Sequence, residues 1–329
     1  MTTSLLQHAA ASIGILCLVT GIPSAHAQTL ETVADSMRVA TDRASGRLTV
    51  FYRGRPVMIY AFATNQWKPY VKELRTLQGD DVLLDAPADH LHHHGLMYAI
   101  AVNGTNFWEE ANDPGVQKPV APPSVEAKSE SGAPPSVIIR QPIHWIARVH
   151  RGLADTRPAA LLEEDRTLTL TVDHRSGEVA LRWQGAFTAG QGAPRAELTG
   201  SVYFGLGMRL ARPFDGTAER LNSAATPYTA PNGGNEATAA FWTAMTQKID
   251  ERDVTVAMFD QPANAGRSVF FSMLNGFAYV SGTQELDKVP LQYNRGEKFA
   301  LDYLVTVRDR KLNTAELEKR YGDWLANGR

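Results

Sequence analysis

The sequence predicts an all-β protein, a large antiparallel β-sandwich that ends in one short helix. Three observations lead to this prediction. Apolar and polar residues alternate in many short segments, which is the period of half-buried strands. Turn-forming Gly, Asn, Asp and Pro residues separate these segments. Only the last part of the chain has a helical pattern, and many short strands with few helices favour a sandwich or barrel-like architecture.

The alternating segments give the predicted elements in chain order. The predicted strands are residues 47–52, 56–60, 97–102, 167–172, 178–183, 254–259, 268–272 and 299–307. Asn313 or Thr314 can cap a helix over about residues 313–326. Two stretches rich in Pro, Ser, Gly or Asn, residues 118–135 and 228–235, are predicted as exposed loops, which on a β scaffold often shape a binding cleft.

The N-terminal segment predicts export from the cytoplasm. Residues 13–19 form an apolar stretch of the length of a signal peptide core, too short to span a bilayer. Ala25-His26-Ala27 is a small-x-small cleavage site that makes Gln28 the first mature residue. The sequence therefore predicts a signal peptide over residues 1–27 and a periplasmic or secreted protein with a single domain over residues 28–329.

Composition excludes several classes of site. Cys17 is the single cysteine and lies in the predicted signal peptide, so the mature chain can form no disulfide and no thiolate metal site. The net charge of −2 without a basic stripe argues against nucleic acid as a partner. No later apolar run is long enough to insert into a membrane. We expect a small-molecule or glycan substrate, and export argues against a nucleotide cofactor.

The main candidate site is the segment Asp-His-Leu-His-His-His-Gly at residues 89–95. On an extended backbone, His90, His92 and His94 would project to one side and His93 to the other. Imidazoles on one face can hold a transition metal or supply acid and base groups near neutral pH. Asp89 could orient one ring. The alternative is a solvated polar loop, or histidines buried with backbone partners.

A second element is predicted to meet the histidines. Asn103-Gly104 is a hairpin signal, and the hairpin would bring Trp108, Glu109 and Glu110 to the same end of the sheet. A carboxylate beside imidazoles suits metal ligation or general acid–base chemistry, and Trp108 could stack on a sugar. The alternative places the tryptophan in the core and the glutamates on the surface.

Upstream, the segment Lys-Pro-Tyr at residues 68–70 brings a basic and a phenolic group toward the same region. We expect Lys68 and Tyr70 to bind substrate oxygens. The alternative is that both side chains are surface residues without a role in binding.

These motifs resemble a known bacterial family, catalogued as "methane oxygenase PmoA-like". The resemblance covers about residues 45–310 and includes the downstream segments 204–209 and 254–264. The sequence departs from the family pattern at His94, where Arg is common, at Asn106 and at Glu109. The change at His94 alters the charge available for anion recognition there. The matching positions are Lys68, Pro69, Tyr70, Asp89, His90, His92, His93, Gly95, Trp108, Glu110, Arg209, Asp260, Pro262 and Asn264.

The resemblance implies a secreted protein from carbohydrate-degradation gene clusters, with a sandwich like that of sugar mutarotases and polysaccharide lyases. Family members are largely of unknown function. Their catalogue name does not fit this chain as an activity, since a membrane oxygenase subunit needs several spans. Fold alone does not fix function.

The leading hypothesis is an exported enzyme that acts on a carbohydrate or polyol by hydrolysis, β-elimination or epimerisation. His90, His92, His93 and Glu110 would be catalytic, with one divalent metal ion on His90, His92 and Glu110 as an option. The residues expected to bind substrate are Lys68, Tyr70, His94, Trp108, Arg209, Asp260 and Asn264.

Two alternatives stay open at the level of sequence. The first is a non-catalytic glycan-binding protein, with Trp67, Trp108 and Trp242 as stacking platforms. The second is a metal-dependent oxidoreductase, because two histidines and one carboxylate also form the facial triad of non-haem iron sites.

Overall fold

The computed structural model describes residues 29–34, 36–129, 132–147, 159–225 and 235–328. These residues form antiparallel sheets in a sandwich-like arrangement with a short C-terminal helix, which confirms the predicted fold class. The predicted signal peptide, residues 1–27, lies outside the described residues, as does most of the predicted loop 228–235.

The strands follow one another with few helical interruptions. In chain order they are β1 (Thr29–Ala34), β2 (Met37–Asp42), β3 (Arg47–Tyr52), β4 (Arg55–Ala61), β5 (Tyr70–Leu74), β6 (Leu96–Ala99), β7 (Ala101–Val102), β8 (Thr105–Asn106), β9 (Val116–Pro119), β10 (Ser124–Lys128), β11 (Ser136–Ile146), β12 (Leu162–Asp173), β13 (Glu178–Ala189), β14 (Arg195–Thr199), β15 (Gly205–Arg209), β16 (Glu219–Asn222), β17 (Glu236–Ala239), β18 (Trp242–Ile249), β19 (Arg252–Asp260), β20 (Val269–Met273), β21 (Tyr279–Gly282), β22 (Leu291–Asn294) and β23 (Lys298–Arg308). A 3₁₀ turn (Arg212–Phe214) follows β15, and the helix α1 (Thr314–Asn327) ends the described chain.

Three sheets organise these strands. The first has the order β1-β2-β3-β4-β5-β6-β15-β21-β20-β17, and the second has the order β10-β11-β12-β13-β23-β19-β18-β16, with β9 also paired to β11. A small third sheet has the order β22-β14-β7-β8. Buried side chains from both large sheets form one continuous apolar cluster, so the core lies between them.

The long hairpin of β12 and β13 shows why alternation predicts these strands. Leu168, Leu170 and Val172 are buried, while the threonines between them face the less covered side. The two strands pair along their whole length, from Leu162 opposite Ala189 to Asp173 opposite Glu178. One buried face and one more exposed face give the period-two pattern of the sequence.

A charged pair lies on the buried face of β12. Arg166 Nε donates to Glu164 Oε1 over 2.6 Å, and the side-chain exposures are 2% and 0%. Arg166 Nη1 also donates to the Pro69 carbonyl over 2.7 Å, and Trp145 Nε1 donates to Glu164 over 2.8 Å. Buried charges persist in a core only when they are paired and hydrogen-bonded. The pair thus fixes the segment that leads into β5 against the second sheet.

The predicted C-terminal helix is confirmed, with Asn313 as its N-cap. The Asn313 side chain accepts from Glu316 N over 3.0 Å, and the Glu316 carboxylate accepts from Asn313 N over 2.9 Å, which forms a capping box. Tyr321 and Trp324 pack against Phe259 and other apolar residues on the face of the second sheet opposite the main core. Within the described ranges, no helix has the length and apolar character needed to cross a membrane.

Two predictions about loops and strands need correction. The predicted loop 118–135 contains β10 and the end of β9. Since β10 lies at a sheet edge with no residue fully buried, its sequence lacks the strong apolar alternation of a central strand. The predicted strand 97–102 divides into β6 and β7, which belong to different sheets.

Candidate functional site

The histidine segment forms two consecutive turns that lead into β6. His90 N donates to Pro87 O over 2.9 Å, and His93 N donates to His90 O over 3.0 Å. The predicted arrangement with His90, His92 and His94 on one side is wrong, because it required an extended backbone. The turns instead group His90, His92 and His93, while His94 faces a different set of partners.

The three grouped imidazoles contact one another and neighbouring aromatic rings. The His93 ring centre lies 4.6 Å from those of His90 and His92, which are 5.9 Å apart. His92 also packs edge-on against Trp108 at 4.9 Å, and His90 lies 4.7 Å from the Phe277 ring centre. The sequence prediction that histidines and Trp108 meet at one place is therefore matched by the contacts of these rings.

A cavity of about 290 Å³ opens beside these rings. Its described lining residues come from the histidine turns, the segment after β8, and the β20–β21 hairpin, with two more from the segments before β15 and β17. They are His90, His92, His93, Trp108, Glu109, Tyr203, Asn235, Phe271, Met273, Phe277 and Tyr279. The cavity is thus bounded by aromatic rings and imidazoles, with Glu109 as the carboxylate among its described lining.

The hairpin predicted from Asn103-Gly104 positions the segment that contributes Trp108 and Glu109 to the cavity wall. Asn103 and Gly104 have φ angles of 50° and 77°, as a type I′ turn between β7 and β8 requires. After β8, the Asn106 side chain accepts from Trp108 N over 2.8 Å and from Glu109 N over 3.1 Å. This local turn presents the tryptophan and Glu109 to the histidines.

Two histidines that line the cavity are paired with carboxylates. Asp89 Oδ2 lies 3.0 Å from His90 Nδ1, and Glu109 Oε2 lies 3.8 Å from His92 Nε2. Partial burial is the largest influence on His92 and lowers its pKa below the usual value, outweighing the opposing effect of Glu109. His92 is therefore a neutral, partly accessible imidazole near pH 7, as a general base must be.

His93 forms the innermost part of the cluster. Its residue exposure is 4%, and burial lowers its pKa to about 3, with the neighbouring His92 and His90 rings acting in the same direction. The ring is uncharged throughout the physiological pH range. Its main contribution is to pack beneath the other rings, against Trp108 and Phe277.

His94 lies between two carboxylates outside the cavity lining. Its Nδ1 is 2.9 Å from Asp85 Oδ1, and its Nε2 is 2.9 Å from Glu110 Oε1. Burial lowers the pKa of His94, but these two hydrogen bonds and the Glu110 charge outweigh burial, so the pKa is raised. At this position, where Arg is common in the PmoA-like pattern, the imidazole is bound by two protein carboxylates.

Lys68 and Tyr70 contact the two carboxylates that bind His94, and neither residue is among the described lining of the cavity. Lys68 is 1% exposed, and its Nζ donates to Glu110 Oε1 over 2.8 Å and to the Trp108 carbonyl over 3.1 Å. Tyr70 Oη donates to Asp85 over 3.3 Å. Both polar groups, which were expected to bind substrate oxygens, are bound to protein groups in this structure.

Arg209 lies behind the cavity wall. It is 1% exposed, its Nη1 donates to Asp215 over 3.1 Å and to the Ala278 carbonyl over 2.9 Å, and its cation is 4.4 Å from the Phe277 ring centre. Arg209, which was expected to bind substrate, is not among the described lining, and the Phe277 ring that lines the cavity lies against its guanidinium group.

Asp260 and Asn264 form a structural turn at the end of β19. The Asn264 side chain donates to the Asp260 carboxylate and to the Asp302 carbonyl, and it accepts from Asp302 N over 2.6 Å. Asp260 is 2% exposed, and neither residue is among the cavity lining. The structure thus places these two predicted substrate-binding residues away from the cavity, where they fix the chain beside β23.

The structure does not assemble the predicted metal ligands His90, His92 and Glu110. Glu110 binds Lys68 and His94, and the carboxylate beside His92 is Glu109. In the part of the chain that the structure describes, no group of three His, Cys, Asp or Glu side chains has the geometry to hold a metal ion. The described residues therefore do not fit the proposed metal site.

Sequence reasoning missed the wall contributed by β20 and β21. Phe271 and Met273 alternate along β20, and Phe277 and Tyr279 alternate into β21, so each pair shares a face. The signal in the sequence is a concentration of aromatic residues at residues 270–279, of which only residues 270–272 lie in the predicted strand 268–272. Nothing local in that segment shows that it faces the histidines, which lie about 180 residues earlier in the chain.

Fold and site together define a β-sandwich protein with a small aromatic cavity that carries imidazole and carboxylate groups. The chain belongs to a family of unknown function, DUF6807, whose model matches residues 47–322. The resemblance to the PmoA-like family is therefore wrong, since a different family accounts for this range. The implications that rested on that resemblance lose their basis with it.

Solved structures with similar folds include several sugar-processing proteins. A putative aldose 1-epimerase from Klebsiella pneumoniae has 12% identity and a TM-score of 0.43, and the match covers 90% of each chain. The galactosidase domain of the α-galactosidase–sucrose kinase AgaSK has 11% identity and a TM-score of 0.45, covering 88% of this chain and 44% of that one. The α-galactosidase AgaA from Geobacillus stearothermophilus has 13% identity and a TM-score of 0.42, covering 86% and 41%.

This chain spans less than half the length of those galactosidase chains. No curated protein matches the sequence. Likeness at this level concerns general architecture and says nothing of activity.

Proposed function

We propose that this protein is a carbohydrate-active enzyme that binds a small sugar in the aromatic cavity and moves protons with His92. The observation that carries the proposal is the pairing of a neutral, accessible imidazole with a carboxylate on the rim of that cavity. His92 Nε2 lies 3.8 Å from Glu109 Oε2, and both residues line the cavity.

The size and lining of the cavity favour a ligand of one sugar ring. Its volume of about 290 Å³ lies at the lower limit of small-molecule sites, which span about 300–1,000 Å³. Tyr203, Met273 and Phe277 are partly exposed and offer flat or adaptable apolar surfaces. The apolar face of a sugar ring can pack on such surfaces, while its hydroxyl groups bind the imidazoles and Glu109.

Proton transfer at a hemiacetal is the reaction that these groups support best. Neutral His92 takes the proton of the anomeric hydroxyl, and the His90 side chain, which is paired with Asp89, gives a proton to the ring oxygen. The bond between the anomeric carbon and the ring oxygen breaks, and an open-chain aldehyde forms. Closure on the other face of the carbonyl returns both protons and yields the opposite anomer, so the step needs no co-reactant.

Hydrolysis has less support, because most glycosidases use two carboxyl groups across the scissile bond. Among the described residues that line the cavity, Glu109 is the only carboxylate. Glu110, the neighbouring candidate, is bound to Lys68 and His94.

The test is an anomer-exchange assay with D-glucose and D-galactose, followed by polarimetry or by NMR exchange spectroscopy. We expect the wild-type protein to accelerate exchange of at least one sugar. We expect His92→Gln to reduce the rate by at least about 100-fold, the usual contribution of a general base. His174→Gln, on an exposed turn between β12 and β13, is the matched control and should retain the wild-type rate.

Absence of acceleration by the wild-type protein, or full activity of the His92→Gln variant, would contradict the proposal.

A second candidate, a non-catalytic sugar-binding protein, is favoured by the packing of the histidines. His93 is buried, and all three imidazoles pack against aromatic rings, as in a rigid binding wall. Sugar binding without exchange activity would select this second candidate.

We also propose that the protein acts in the periplasm or outside the cell. The proposal rests on the apolar core and the Ala-His-Ala site within residues 1–27. In further support, the first described strand begins at Thr29, so cleavage before Gln28 would leave every described strand intact.

A further inference from the structure

The charges around the cavity are unevenly distributed. Its described lining includes Glu109 but no lysine and no arginine. The Glu109 side chain is 36% exposed, so its carboxylate remains available to a ligand. Asp89, which is bound to the lining residue His90, adds a second negative charge nearby.

Two strong cations behind the cavity wall are shielded from the cavity, whereas the exposed Arg212 interacts with Asp89 and is not among the described lining. Lys68 is 1% exposed and is held by Glu110 and the Trp108 carbonyl. Arg209 is also 1% exposed, and its charge is matched by Asp215 at 3.1 Å. Neither can reach a ligand unless the cavity wall itself moves.

Recognition of an anionic group in proteins usually requires a paired guanidinium, an ammonium group or a cluster of backbone N–H groups. A carboxylate placed in this cavity would instead face Glu109, and like charges at short range in a partly desolvated site repel strongly. The hydroxyl groups of an uncharged sugar, in contrast, can donate directly to the Glu109 carboxylate.

We propose that the cavity selects an uncharged sugar and rejects sugars that carry a carboxylate or phosphate group. This inference rests on the proposed function and narrows its substrate class. It also removes β-elimination from the possible reactions. That reaction acts on a uronate, whose carboxylate must be neutralised before the neighbouring carbon can lose its proton.

The test is calorimetric titration of the full-length mature protein with D-galactose and D-galacturonate, which differ in the group at carbon 6. We expect D-galactose to bind at least about tenfold more tightly, a ratio that corresponds to about 1.4 kcal/mol. Glu109→Gln should reduce this preference, because it removes the repelling charge and keeps the side-chain shape. Glu126→Gln, on the exposed edge strand β10, is the control and should keep the wild-type preference.

The outcomes separate this inference from the proposed function. Equal or tighter binding of D-galacturonate would overturn the inference and leave sugar binding intact. Tighter binding of D-galactosamine than of D-galactose, lost in Glu109→Gln, would also overturn it, because the cavity would then select a cation. Binding of none of the three sugars would contradict the proposed function itself.

Discussion

At the scale of single residues, Asp260 shows how a motif residue can serve the fold. It lies buried at the end of β19, where Asn264 donates to its carboxylate. Burial raises its pKa to about 7, against the hydrogen bonds from Ser268 and Asn264, which lower it. The folded protein therefore holds a proton on Asp260 at pH values at which the unfolded chain has released it.

This proton gives a pH-dependent stability with a definite sign. Between the usual pKa of 3.8 and the raised value of about 7, the folded state binds more protons, so the free energy of unfolding falls as pH rises. Asp260→Asn, which resembles the protonated form, should gain stability relative to wild type between pH 5 and pH 8, by about 2 to 3 kcal/mol at most. Urea unfolding at the two pH values measures this change.

The control for this prediction is Asp253→Asn, an exposed aspartate on the same strand. It should show no such pH-dependent gain. If the difference in the free energy of unfolding between wild type and Asp260→Asn were the same at pH 5 and pH 8, the prediction would be contradicted.

Residue identity in the site was predictable from the sequence to a limited extent. The cluster of histidines and its meeting with Trp108 follow from residue type and from the Asn-Gly turn. Which glutamate faces His92 does not follow, because Glu109 and Glu110 are adjacent and a single turn residue, Asn106, decides their directions. The burial of Lys68 could not be predicted either, because its partners Trp108 and Glu110 lie far from it in the chain.

At the scale of elements, the segment after β8 is restrained by a charged clamp, which consists of Lys68, Glu110 and His94. Lys68 Nζ binds both the Trp108 carbonyl and the Glu110 carboxylate, and His94 binds the same Glu110 oxygen. The clamp restrains the backbone on both sides of Glu109. We infer that it sets the positions of Trp108 and Glu109 in the cavity wall.

Removal of the clamp should cost stability. Lys68→Met keeps most of the side-chain volume but leaves Glu110 with His94 alone, so we expect the free energy of unfolding to fall by about 3 kcal/mol, as for a broken buried ion pair. Lys288→Met is the control, since Lys288 is 63% exposed and its loss should change stability by about 0.5 kcal/mol or less. Chemical unfolding measures both, and equal stability of the two variants would argue against the clamp.

At the scale of the whole molecule, the strands were predicted better than the sheets. Alternation locates β3 and β23 closely, and it finds the second half of β12, because each of these strands buries one face against the core. The sheet to which a strand belongs depends on partners distant in sequence, as the division of residues 97–102 between two sheets shows. Edge strands such as β10 escape prediction because half-exposure weakens the apolar pattern.

The proposed export concerns the whole chain and can be measured directly. If residues 1–27 are a signal peptide, the protein from the periplasm or medium should begin at Gln28, because cleavage follows Ala27. Intact mass and N-terminal sequencing of the protein recovered from each compartment measure this. Replacement of Ala25 and Ala27 by bulky residues should block processing, and an intact Met1 on the exported protein would contradict the prediction.

The walls of the cavity come from chain segments that are distant in sequence, around residues 90–93, 108–109 and 271–279. A ligand that touches all three acts as a non-covalent cross-link between regions that separate on unfolding. Binding of such a ligand raises the free energy of unfolding. The increase grows with the logarithm of the ratio of the ligand concentration to the dissociation constant. Any ligand of this cavity would therefore raise the free energy of unfolding through contacts with the same few aromatic rings.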